Sequence, residues 1–258
     1  MKKTLSIILV IVFSVVAMMS TVSAAEAGTV YDLHDYFGKT ESAPYSFIKL
    51  THADGTTEEA VAETGTGIIC QYDAKEFTAY KISQNCALVR TDSQDSSINA
   101  RMGYGKLWQS FTNDTNIAVV FTAPVAGEYS FEMAATRWWD NNTAVGGTPE
   151  QQPCDITVKY GTEAKTAKLG NGTLSGSVTG TATLAAGETM MLYVDPLGNG
   201  AGDNVTINTL KVTLVSVAAA PSNPSEPSAP ETADGIVAGI ALMAAAGTAL
   251  VITKKRNG

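Results

Sequence analysis

The stretch Gly127-Glu128-Tyr129-Ser130-Phe131-Glu132-Met133 decides the fold. Its apolar residues recur at every second position. Tyr129, Phe131 and Met133 share one face and Glu128, Ser130 and Glu132 the other, the pattern of a strand with one side in a core and one in solvent. Further short alternating runs, bounded by Gly, Asn, Asp and Pro, lie at 117–121, 155–160, 189–194 and 205–214. Strands of this length and spacing, with helical periodicity scarce, predict an all-β chain: a single jelly-roll-type antiparallel β-sandwich over residues 28–217. The stretch 170–183 is rich in Thr and Gly, with Leu174 and Val178 its only long apolar residues, and predicts an exposed hairpin.

Composition agrees with a folded domain. Of 258 residues 45% are hydrophobic and 16% charged, which excludes a wholly disordered or collagen-like chain. The net charge is −8, but five of the 17 cations (Lys2, Lys3, Lys254, Lys255, Arg256) crowd the two ends. Between Ala25 and Thr232 the remaining 12 Lys and Arg face 24 Asp and Glu. Such acidity excludes a nucleic-acid partner, whose phosphates demand clustered cations.

The ends read as addresses. Met1-Lys2-Lys3 precedes an apolar run from Leu5 to Met19 and the small residues of Val22-Ser23-Ala24, so residues 1–24 are expected to be a secretory signal peptide. Residues 218–234 include four prolines between Pro221 and Pro230 and predict a semi-extended stalk. Residues 235–258 hold an apolar run from Ile236 to Ile252 followed by Lys254-Lys255-Arg256. As a helix that run would reach ~26 Å, close to a hydrocarbon core of ~30 Å, with the cations on the cytoplasmic side.

Ala229-Pro230-Glu231-Thr232-Ala233, placed before this run and its basic tail, resembles the cell-wall sorting signal of Gram-positive surface proteins. The resemblance implies cleavage by a sortase between Thr232 and Ala233, with Pro230 in the recognition motif, and transfer to a cell-wall amine. Ala229 and Ala233 depart from the usual leucine and glycine. A plain transmembrane anchor is the alternative. In either case the protein is expected to be exported and held at the cell surface.

A second resemblance lies in the folded part. Phe121-Thr122-Ala123-Pro124-Val125-Ala126-Gly127-Glu128-Tyr129 is similar to a strand pair of jelly-roll domains in secreted bacterial proteins, many related to carbohydrate-binding modules. Leu184-Ala185-Ala186-Gly187-Glu188, with the strand that follows and the loop up to Thr206, is similar to a second paired segment of those domains. Glu188 stands where they often have Asp. The resemblance implies the fold, and members differ in whether they bind sugar.

Chemistry has few places to sit. No nucleophile elbow, zinc-protease helix or phosphate loop occurs, and nothing singles out two of the 25 acids as a hydrolytic pair, so the chain is read as a non-enzyme with no catalytic residue. The two histidines, His34 and His52, lie near Asp32, Asp35 and Asp54 and read as polar surface loop rather than as a metal site. The distinctive cluster is Arg137-Trp138-Trp139-Asp140-Asn141-Asn142. Adjacent tryptophans cannot both face inward from a strand, which predicts one in the core and one presented. An indole stacks on the apolar face of a pyranose while Arg137, Asp140 and Asn142 bond its hydroxyls; the alternative is that both rings pack. Trp108, near Tyr104 and Lys106, reads as a core anchor or a second platform.

Asp195, Asn199 and Asp203 flank one turn that either holds structural calcium or reflects turn chemistry alone. No other cofactor is expected. Of three cysteines, Cys70 and Cys86 are candidates for a disulfide closing about 17 residues, worth ~3 kcal/mol, and Cys154 reads as a buried thiol; pairings with Cys154 stay open. The leading reading is thus a surface module binding extracellular glycan. The alternative is a protein-binding adhesin, or a structural surface module, whose partner is a host or cell-surface protein.

Overall fold

The alternation that opens at Gly127 runs further than its large apolar residues: in the computed structural model the strand continues to Trp138, and Tyr129, Phe131, Met133, Ala135 and Arg137 are all buried. The structure describes residues 25–39, 44–69, 72–83, 86–104, 106–112, 114–138, 154–169, 173–198 and 204–219. Among these, the order of elements is β1 (Val30–Asp32), α1 (Leu33–Tyr36), β2 (Tyr45–Thr51), β3 (Thr57–Glu59), β4 (Ala62–Ile69), β5 (Tyr72–Ser83), β6 (Cys86–Thr91) and α2 (Ser97–Met102). There follow β7 (Leu107–Ser110), β8 (Thr115–Thr122), β9 (Gly127–Trp138), β10 (Cys154–Tyr160), β11 (Glu163–Leu169), β12 (Ser175–Leu184), β13 (Thr189–Asp195) and β14 (Asn204–Val217).

The strands form two antiparallel sheets. One runs β12-β9-β14-β7-β6-β5-β4, with β1 also paired to β14; the other runs β11-β10-β13-β8-β2-β3. Between them lies one core, to which both sheets contribute alternate residues, among them Tyr129, Phe131 and Leu210 from the first and Phe121, Ile156 and Leu192 from the second. A smaller core lies on the outer face of β5, β6 and β7, where Ile98 of α2 covers Phe77, Ala79, Val89 and Trp108. The expectation of an all-β sandwich holds. Residues 1–24 and 220–258, which carry the signal, stalk, sorting motif and apolar run, lie outside the described residues. No described helix is long and apolar enough to cross a membrane. The chain divides into two units, Met1–Ala218 and Ala219–Gly258.

The stretch expected to be an exposed hairpin is corrected. Its second half is the ten-residue edge strand β12, paired with β9 from Ser175↔Thr136 to Leu184↔Gly127. Its Ser and Thr are exposed while Val178, Ala182 and Leu184 face the core. Short side chains at the solvent positions hid the alternation.

The two quoted turns prove to be bonded to each other. After β8, the chain turns through 123–126, and the Tyr129 hydroxyl closes this turn by donating to the Val125 carbonyl at 2.6 Å. Gly127 is required where β9 begins, because a Cβ there would fall 2.2 Å from the Ser216 carbonyl oxygen. Between β12 and β13, Gly187 takes φ +84 and the Glu188 carboxylate accepts from the Ala185 N–H at 2.8 Å. The Ala123 N–H donates to the Glu188 carbonyl and the Gly187 N–H to the Ala123 carbonyl, both at 2.8 Å. At this end the two connections between the sheets, 123–126 and 185–188, are bonded to each other through main-chain groups, continuing the β8–β13 pairing.

Candidate functional site

At the opposite end β9 and β13 release the connections that lead to β10 and β14. Trp138, the last residue of β9, stands opposite Asn204, the first of β14, in one sheet. Asp195, the last residue of β13, stands opposite Asp155 of β10 in the other. The chain leaves β9 after Trp138 and re-enters at Cys154, and leaves β13 after Asp195 and re-enters at Asn204, all at this end. The β2–β3 turn and the β7–β8 connection reach the same end, where the His52 N–H donates to the Asp114 carbonyl at 2.8 Å. Trp138 and Asp195, 57 residues apart along the chain, thus stand at the same end of the sandwich.

The described part of this rim is rich in acceptors. Across the outer face of the second sheet Lys168, Asp155 and Asp195 follow one another on adjacent strands, as direct partners in register. Like charges facing each other destabilise a strand pair. Burial pushes the Asp155 carboxyl above the ordinary carboxylate range; Lys168 pulls it down and Asp195 adds to the rise. On the far side of Asp195 lies the His52 ring, its Nδ1 3.7 Å from Asp195 Oδ1 and its Nε2 3.0 Å from Asn116 Oδ1. Asn116 is fully buried, and its Nδ2 donates to the Val194 carbonyl at 2.7 Å. Tyr193 packs its ring 5.7 Å from His52. Burial, then the charge of Asp195, raises the pKa of its hydroxyl.

The sequence-derived candidates fall out as follows. Trp138 ends β9 instead of lying in a loop beyond it. Arg137 is corrected: it shares the inward parity of Tyr129 and Met133, is 3% exposed, and burial lowers its pKa while the nearby Cys154 raises it. It lies under the rim and is not presented to solvent. Trp139, Asp140 and Asn142 lie outside the described residues, as do Asn199, Asp203, Cys70, Pro230, Thr232 and Ala233. Asp195 Oδ1 accepts from the Leu197 N–H at 2.9 Å, which is turn chemistry. Among the described residues no group of three or more His, Cys, Asp or Glu could hold a metal ion. Cys86 is buried with its Sγ 3.3 Å from the Thr115 carbonyl oxygen. Cys154 is a buried free thiol.

Trp108 is a core anchor, 1% exposed in the smaller core. Asp32 caps α1, accepting from the His34 N–H and facing its Nδ1, both at 3.1 Å, with Lys211 at 3.3 Å. Burial pushes the Asp32 carboxyl up, and these bonds outweigh it and hold the carboxyl below its usual value. The Asp32-His34 pair is therefore a helix cap. The sequence does not single out Asn116, and it does not show the place of His52 in the rim. Asn116 carries a weak signal, a polar residue heading an apolar strand, whereas nothing near His52 marks a partner 64 residues away.

The sequence matches no family model and no curated protein. Among solved structures it is similar to the CBM22-1 xylan-binding domain of Paenibacillus barcinonensis Xyn10C, at 10% identity over 76% of this chain and 100% of that one, with a TM-score of 0.35. A family 35 carbohydrate-binding module from an environmental isolate matches at 21% identity over 44% of this chain and 79% of that one, TM-score 0.27. Rabbit GITRL matches at 15% identity over 39% of this chain and 73% of that one, TM-score 0.24. At such TM-scores these likenesses carry no inference about a ligand.

Proposed function

We propose that this chain is an exported, surface-anchored jelly-roll module that binds extracellular glycan at the end of the sandwich opposite its tied turns, without catalysing a reaction. The observation that carries the reading is the pairing of Trp138 with Asn204 and of Asp155 with Asp195. Trp139, Asp140 and Asn142 follow directly on Trp138, and the chain re-enters the fold at Cys154, next to Asp155, which supports reading them as part of one site with these carboxylates. An indole face offers a stacking surface for a pyranose, and carboxylates accept from its hydroxyls. Anchoring, in this reading, follows sortase cleavage after Thr232, with the apolar run 236–252 holding the chain in the membrane beforehand.

The test is a glycan array followed by calorimetry on the chain released from the cell surface. Stacks of this kind are worth ~0.5–3 kcal/mol, so Trp138→Ala or Trp139→Ala should weaken binding by roughly 2- to 150-fold. If neither variant changes the affinity for any glycan that the native chain retains, the tryptophans are structural and a protein-binding or structural module is the better reading.

A further inference from the structure

The second sheet is split at the loop end. Strands β8 and β13 pair from Thr189↔Thr122 to Leu192↔Val119 and no further. Beyond that point β8 stays paired to β2 as far as Thr115↔Thr51, and β13 stays paired to β10 as far as Asp195↔Asp155. A slit therefore opens between two strands in the middle of the sheet, and the main-chain carbonyls facing it need other donors. Two buried amide side chains supply them. Gln109, reaching across from β7 in the opposite sheet, donates through Nε2 to the Ile117 carbonyl at 2.6 Å. Asn116, itself in β8, spans the slit and donates through Nδ2 to the Val194 carbonyl at 2.7 Å.

A carbonyl oxygen only accepts, so the Asn116 nitrogen must be the atom facing Val194, and Oδ1 must face His52. Oδ1 likewise only accepts. His52 Nε2, 3.0 Å away, therefore carries a proton, and the other ring nitrogen, Nδ1, is turned toward Asp195. One fully buried amide thus joins β8, the end of β13 and the turn after β2.

We propose that Asn116 is a positioning residue at the loop end: it sets the width of the slit, and with it the place of the end of β13 and the orientation in which His52 stands against Asp195. Its consequence for ligand affinity rests on the glycan reading above; its effect on the slit and on His52 does not. Neither Asn116 nor His52 needs to touch the ligand.

The experiment uses the whole folded domain with its loops intact and two variants. Asn116→Leu keeps the branched shape and removes both polar groups; Asn116→Asp keeps an acceptor for His52 and removes the donor to Val194. Hydrogen exchange in Asn116→Leu should rise about tenfold over residues 193–198 and stay at the native rate in the β9–β14 ladder, since only the local bond is lost. Nitrogen-15 spectra should show His52 protonated at Nε2 in the native chain and in Asn116→Asp, and a mixture of tautomers in Asn116→Leu. A residue that merely adds global stability would raise exchange everywhere and leave the tautomer alone, and that result would overturn the proposal. So would native exchange at 193–198 in both variants. Should Asn116→Leu fail to fold, Asn116→Asp decides alone through exchange at 193–198. If the native chain binds no glycan, the function fails while these two measurements still judge the clasp; if it binds and Asn116→Leu binds equally well, the consequence of the clasp for affinity is refuted and the function stands.

Discussion

Replacing Trp108 tests whether the buried ring is an anchor or a platform. Trp108 stands between Val89 and Thr206 in register, is 1% exposed, and meets the Tyr72 ring edge-on at 6.1 Å. Truncating a fully packed large aromatic costs ~3–5 kcal/mol. For a domain of this size each kcal/mol moves the Tm by about 2–4 °C, so Trp108→Ala should lower it by roughly 6–20 °C. Trp108→Phe should behave differently. Among the described residues the indole Nε1–H has no hydrogen-bond partner, and an unpaired buried donor carries a cost of ~1–3 kcal/mol. Phe removes that donor while keeping much of the ring, so its net cost should stay below about 2 kcal/mol. Urea denaturation of the two variants, alongside glycan binding at a temperature where both are folded, gives the comparison. Unchanged stability in Trp108→Ala with loss of binding would refute the core assignment, and a Phe variant as unstable as the Ala one would refute the account of the unpaired donor.

The remaining expectations concern the loop end. Burial pushes the Cys154 thiol up to about 11, with Arg137 pulling it down and Asp155 and Asp195 adding to the rise. Cys154 should therefore resist alkylation at pH 8 in the folded protein and react on unfolding; equal labelling rates in buffer and in urea would contradict this. Because the unfolded thiol ionises first, the native state holds the extra proton between its ordinary value of 9.0 and about 11. Stability should fall over that window by ~3 kcal/mol at most and level off above it. Leu197 holds φ +53 at the tip of the turn after Asp195 and is exposed. A side chain that tolerates this conformation should relieve ~1 kcal/mol, so Leu197→Asn is expected to raise the denaturation midpoint, and a lower midpoint would mean that the leucine makes stabilising contacts.

What the sequence shows of this fold follows the size of its side chains. Strands β8, β9, β10, β13 and β14 carry Tyr, Phe, Met, Ile and Leu at alternate positions, and period two is plain in each. Strand β12 has the same period, but its outward residues are Ser and Thr and several inward ones are small, so it reads as loop. Strands β5 to β7 are harder still, since part of their outer face is covered by α2 and both faces are apolar there. Arg137 was misread for a related reason. A charged residue beside two tryptophans suggests a surface, yet strand parity carries it inward. The partnership of His52 with Asn116 depends on where β13 parts from β8, which no local pattern of residues expresses.

The two ends of the sandwich divide the labour, and this explains why the resemblance to jelly-roll domains speaks to fold and not to ligand. Of the residues quoted for it, Ala123, Gly127, Tyr129, Gly187 and Glu188 lie at the tied end, where each is fixed by a backbone demand, while the segment from Asp195 to Thr206 belongs to the other end. A hydroxyl must close a turn, a missing Cβ must clear a carbonyl, and a carboxylate must cap an N–H. Those demands come from joining two sheets, so they recur with the architecture whatever it binds. At the other end the strands leave their ladders early, like charges stand opposite each other, and buried amides replace main-chain bonds. None of these arrangements is required to hold two sheets together, since the core between the sheets is filled without them. Costs that the fold does not impose concentrate where function is placed, and this is the physical ground for seeking the ligand at the loop end.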